Sequence, residues 1–90
     1  MIKIHADEDK KILRVTGHAG YAPKGEDIVC AGVSALVQTL GLYAIEHGGK
    51  TEIREGYAEI DAGNGSGEVF SAIVSGLRKM SENYGCVWFS

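Results

Sequence analysis

From Val29 the apolar residues recur at helical spacing. Val29, Val33, Leu36, Val37, Leu40, Tyr43 and Ala44 follow the i, i+4, i+7, i+8, i+11, i+14, i+15 rule. That stripe predicts one long helix beginning at Ile28 and stopped by Gly48-Gly49, with Asp27 at the N-cap position. A helix with one apolar side must lay it against another element. The segments before it supply the partner. Residues 1–6 place Ile2, Ile4 and Ala6 on one face of a strand. Asp7-Glu8-Asp9-Lys10 reads as a turn, and residues 11–18 form a second strand with Leu13 and Val15 inward.

The same alternation returns after the helix. Residues 50–54 and 57–61 read as a hairpin around Glu55-Gly56, with Ile53, Ala58 and Ile60 inward. Asn64-Gly-Ser-Gly leads into a second helix near 66–84. Its buried stripe is Val69, Ile73, Leu77, Met80 and Tyr84, and Gly85 is its expected C-cap. Cys86-Val-Trp-Phe closes the chain as a short strand, apolar on both faces. The expected fold class is α+β, with two layers, the order ββαββαβ, and a mixed sheet covered on one face by two helices. The other face is then either polar or covered by a second subunit, and Cys86 and Trp88 point to the latter.

With 90 residues the chain fits one domain, residues 1–90, and has a modest core. The balance of 9 Lys+Arg against 12 Asp+Glu gives −3, without a basic stripe. Phosphate contacts dominate nucleic-acid affinity, so no direct nucleic-acid partner is expected. No uninterrupted apolar run of bilayer length is evident, so no membrane partner is expected. The N-terminus alternates apolar and polar residues and does not read as a signal peptide. Two cysteines without repeated spacing do not make a disulfide scaffold. A reducing, cytoplasmic setting is the expectation.

The chemistry concentrates between Gly17 and Ser34. His18 lies at a strand end, Cys30 in the first turn of the long helix, and a loop at 19–26 with the chain's one proline joins them. Unpaired amides and the helix dipole at a helix start favour negative charge. A cysteine there can become a thiolate, a histidine can take its proton, and the same amides can hold an oxyanion. A second reading stays open: a cysteine in an amphipathic helix also serves as a small apolar packing residue. Asp27 is equally a simple cap, and Ser34, with Gly41, equally a close-packing position. Strict alternation turns His18 away from the helix face, so either Gly17 breaks the strand or the two groups meet at the end of the sheet. A metal site would need further ligands at suitable spacing, and no Cys-x-x-Cys pair exists, so no metal or cofactor is expected.

Gly17-His18-Ala followed by Gly25-Glu-Asp27-Ile-Val-Cys30-Ala-Gly-Val-Ser34 resembles the bacterial ribosomal-processing cysteine protease family, Prp. The resemblance implies a cysteine endopeptidase with Cys30 as nucleophile and His18 as general base. Gly17, Asp27 and Ser34 match further positions of the family motif. Gly32 stands where alanine is expected. The implied substrate is the short N-terminal extension of protein twenty-seven of the large ribosomal subunit, removed after a Phe-Phe pair. A homodimer is implied as well. Tyr21 in the loop is the candidate contact for the aromatic pair. The alternatives are a non-catalytic homodimeric peptide-binding module and a thiol redox sensor.

Overall fold

The computed structural model describes residues 1–17, 28–63 and 65–90, with Ile28 described in its backbone alone. The elements are β1 (Ile2–Asp7), β2 (Ile12–Gly17), α1 (Ile28–Glu46), β3 (Lys50–Arg54), β4 (Tyr57–Asp61), α2 (Gly67–Asn83) and β5 (Val87–Phe89). The strands form one sheet in the order β3-β4-β2-β1-β5. β5 runs parallel to β1, and the remaining neighbours are antiparallel. The order ββαββαβ and the mixed sheet are as expected from the periodicity.

Alternation decides what the sheet buries. Ile2, Ile4, Leu13, Val15, Ala58 and Ile60 face the helices and join one core with Val33, Val37 and Leu40 of α1 and Phe70, Ile73, Val74 and Leu77 of α2. Burying a side chain of this size stabilises the fold by about 1.5–3 kcal/mol. The inner side of α1 supplies the helix layer over β3 and β4. Its outer side is also apolar, so the span Val29–Glu46 is long and apolar enough to cross a membrane by length and composition. That differs from the sequence expectation, because Ser, Gln and Thr interrupt the apolar run without adding charge until Glu46.

The uncovered face of the sheet is mostly polar. Arg14 pairs with Glu59 at 2.9 Å, and the Tyr57 hydroxyl donates to the same carboxylate at 3.0 Å. The Arg54 guanidinium lies 4.3 Å from the Tyr57 ring centre. The guanidinium of Arg14 and the Tyr57 hydroxyl hold the Glu59 carboxyl below its ordinary range. Trp88, beside Lys3 in the register, is an apolar residue on this face at 61% exposed, and half-buried Ile12 shares the face.

Local expectations change at Cys86, Ile53, Tyr84 and Gly85. Cys86 lies in the turn before β5 and is buried in the core, so it does not share the outer face with Trp88. Ile53 faces the helix layer but remains 48% exposed, because β3 is the sheet edge and α1 does not reach fully over it. α2 ends at Asn83, so Tyr84 leaves the buried stripe. Tyr84, extended at φ −132, caps the helix by donating its N–H to Met80 O, while Gly85 takes no left-handed conformation. The hydroxyl of buried Ser66, at the N-cap position of α2, donates back to Gly63 O at 2.6 Å and leaves the helix amides uncapped by its side chain.

Candidate active site

β2 ends, β3 turns into β4, and α1 begins at one end of the molecule. Cys30 is the third residue of α1, half-buried, and packs against the edge of the core. Helical spacing carries its face of α1 onward through Ser34 and Gln38. The Gln38 amide Nε2 donates to Ser34 Oγ at 2.9 Å.

This row of α1 borders a cavity of about 560 Å³. The apolar part of its wall comes from Ile2, Val15, Val33, Val37, Ile53 and Ala58. The β3–β4 turn, Arg54 to Tyr57, closes one side. Cys30, Ser34 and Gln38 bring the polar and nucleophilic groups, and Gly17 stands at the end of β2. A thiol beside an apolar hollow that is open to solvent fits attack on a bound peptide with apolar side chains.

Gly17 explains how the chain leaves β2. Its φ of +91 is a conformation that glycine adopts without strain. Gly17 still pairs with Ile2 in the β1–β2 register, and whether the alternation breaks at His18 lies outside the described residues. A Cβ at this position would overlap the Met1 carbonyl oxygen. The Gly17 N–H donates to Gly56 O at 2.9 Å, which ties β2 to the β3–β4 turn.

Of the residues singled out in the sequence, Gly17, Cys30 and Ser34 come together at this cavity. His18, Tyr21 and Asp27, with the loop 19–26, lie outside the described residues. Two contributors escaped sequence reading: Gln38, and the β3–β4 turn. Gln38 was detectable as the next step of the Cys30–Ser34 row. The turn carries no chemical signature and reaches the site only through strand order.

The sequence model of the family described as cysteine protease Prp matches residues 1–87. The ribosomal processing cysteine protease Prp of Bacillus subtilis (strain 168) is 53% identical over 36 residues, a stretch covering 38% of this chain and 32% of that relative. The chain thus matches about a third of that relative's length. Three solved structures share the fold. SMU.848 from Streptococcus mutans superposes with a TM-score of 0.68 at 22% identity, covering 99% of this chain and 93% of its own. The essential ribosomal processing protease Prp of S. aureus, solved with a substrate peptide, has a TM-score of 0.71 at 21% identity, covering 100% and 98%. The same S. aureus protease with a covalently linked product peptide gives 0.70 at 22% identity, covering 99% and 97%. With the whole fold shared and the family pattern running through both helices, this chain belongs to the Prp family of cysteine proteases.

Proposed function

We infer that this protein is a cysteine endopeptidase that trims a ribosomal protein. The observation that carries the reading is Cys30 in the first turn of α1, on the wall of a mainly apolar cavity that Gly17 also borders. His18 follows Gly17 directly in the chain. Family membership and the peptide complexes of the S. aureus relative support the reading.

In the proposed reaction His18 takes the proton of the Cys30 thiol. The sulfur attacks the scissile carbonyl carbon, and a C–S bond forms as the carbonyl oxygen becomes negative. Amides at the start of α1 receive that oxyanion. Collapse breaks the C–N bond, and His18 gives its proton to the leaving amine. Water then hydrolyses the thioester and restores the thiol. The proposed substrate is the N-terminal extension of protein twenty-seven of the large ribosomal subunit, with its Phe-Phe pair in the apolar cavity. Tyr21 is the proposed contact for that pair, and Asp27 the proposed cap of α1.

The proposed setting is the cytoplasm, which keeps the Cys30 and Cys86 thiols reduced. The proposed state is a homodimer, supported by exposed Trp88 on a mostly polar face.

The test is cleavage of a synthetic peptide spanning the extension. The wild-type protein is expected to cut after the Phe-Phe pair. Cys30→Ala is expected to abolish cutting with the fold retained, and His18→Ala to lower single-turnover rate far more than peptide affinity. Cys86→Ala is expected to keep activity and lose stability alone, because Cys86 sits in the core. Wild-type cleavage rates in Cys30→Ala would overturn the mechanism.

A further inference from the structure

We propose that Gln38 is a positioning residue for peptide cleavage, acting through Ser34, whose hydroxyl donates to the carbonyl oxygen under attack at Cys30. The inference rests on the protease reading above and adds two residues to it.

Three observations carry it. Cys30, Ser34 and Gln38 form one row on α1, a turn apart from each other, and all three border the cavity. Side chains so spaced lie about 5–6 Å apart at Cβ, so Ser34 Oγ can reach an atom bound against Cys30. In the Gln38–Ser34 bond the amide Nε2 donates and Oγ accepts, at 2.9 Å.

A hydroxyl has one proton and two acceptor sites. Thr39 on the same helix directs its proton back to the Ala35 carbonyl at 2.7 Å, the ordinary choice within a helix. Ser34 differs: among the described residues its Oγ takes part as the acceptor from Gln38. With one lone pair occupied from the Gln38 side, the Oγ proton is left for the cavity. A donor placed there strengthens as the peptide oxygen gains charge, which lowers the barrier without tightening ground-state binding.

The experiment reverses the polarity of the bond. Gln38→Glu replaces a donor with an acceptor, so Ser34 donates to the new carboxylate and leaves the site. Gln38→Lys keeps a donor at the same reach. Both are long, good helix formers at an exposed position, and thermal melts verify that folding is equal. Ser34→Ala is expected to lower kcat by about 10²-fold with KM little changed. Gln38→Glu is expected to lower kcat about tenfold or more, and Gln38→Lys less than about threefold. In a Ser34→Ala background the Gln38→Glu loss is expected to vanish, which separates an effect through Ser34 from a direct charge effect.

Equal rates for the Glu and Lys variants overturn the proposal. So does a Gln38→Glu loss that persists without Ser34, or one that appears in KM alone. These outcomes leave the protease reading standing, whereas a wild-type protein that cuts no extension peptide overturns both.

Discussion

Gly17 donates its backbone N–H to the Gly56 carbonyl at 2.9 Å, and that bond joins the end of β2 to the β3–β4 turn on the rim of the Cys30 cavity. The two elements meet at the point where the chain sets out toward His18. The geometry depends on a left-handed residue at 17, at φ +91.

Gly17→Ala is therefore expected to damage both stability and activity. A left-handed alanine costs about 1–2 kcal/mol, and its Cβ would also overlap the Met1 carbonyl. The expected loss is about 2 kcal/mol or more, read as a fall in Tm of roughly 8–16 °C. Activity measured well below the lowered Tm should still be reduced, because the backbone before His18 is redirected. A variant with wild-type Tm and rate would show that neither constraint acts.

Gly32→Ala should behave in the opposite way. A Cβ at 32 would stand 2.9 Å from the terminal methyl of Met80, the far end of a flexible side chain that can turn aside. The gain in helix propensity is about 1 kcal/mol. Chemical denaturation is expected to show a net stabilisation below that figure, with cleavage unchanged. A destabilised variant would mean that Met80 has no room to move between α1 and α2.

The outer face predicts a pH dependence. Glu59 accepts from Arg14 and Tyr57, and these bonds lower its carboxyl pKa in the folded state. A group depressed on folding contributes stability above its unfolded pKa and loses it as pH falls through the folded pKa. Glu59→Gln should therefore be less stable than wild type at neutral pH, by the small amount typical of exposed pairs. The difference in Tm should shrink as pH falls below the ordinary carboxylate range. A difference that stays constant as pH falls through and well below that range would remove the ionised carboxylate as its cause.

Local pattern carried much of this protein. The β3–β4 hairpin, residues 50–54 and 57–61, appears with the boundaries read from alternation around Glu55-Gly56. The start of α1 at Ile28, its end before the left-handed Gly48, and Cys30 in its first turn follow from helical spacing and glycine. These features depend on neighbours a few positions away, and periodicity records such neighbours directly.

Only the tertiary structure decided the lateral order of the strands, and the site hangs on that order. Alternation assigns Ile53 to the helix side, but it cannot tell an edge strand from a central one, so the exposure of Ile53 and its place at the cavity were not legible. Cys86 and Trp88 share a parity, yet one is core and the other solvent-facing, because β5 begins after Cys86 and pairs in parallel with β1. The arrival of Gly56 at Gly17, and so of a wall beside Cys30, arises from pairing between segments far apart in the chain. Such pairing is selected by the shared core and by register, two properties of the folded whole that no short window of sequence contains.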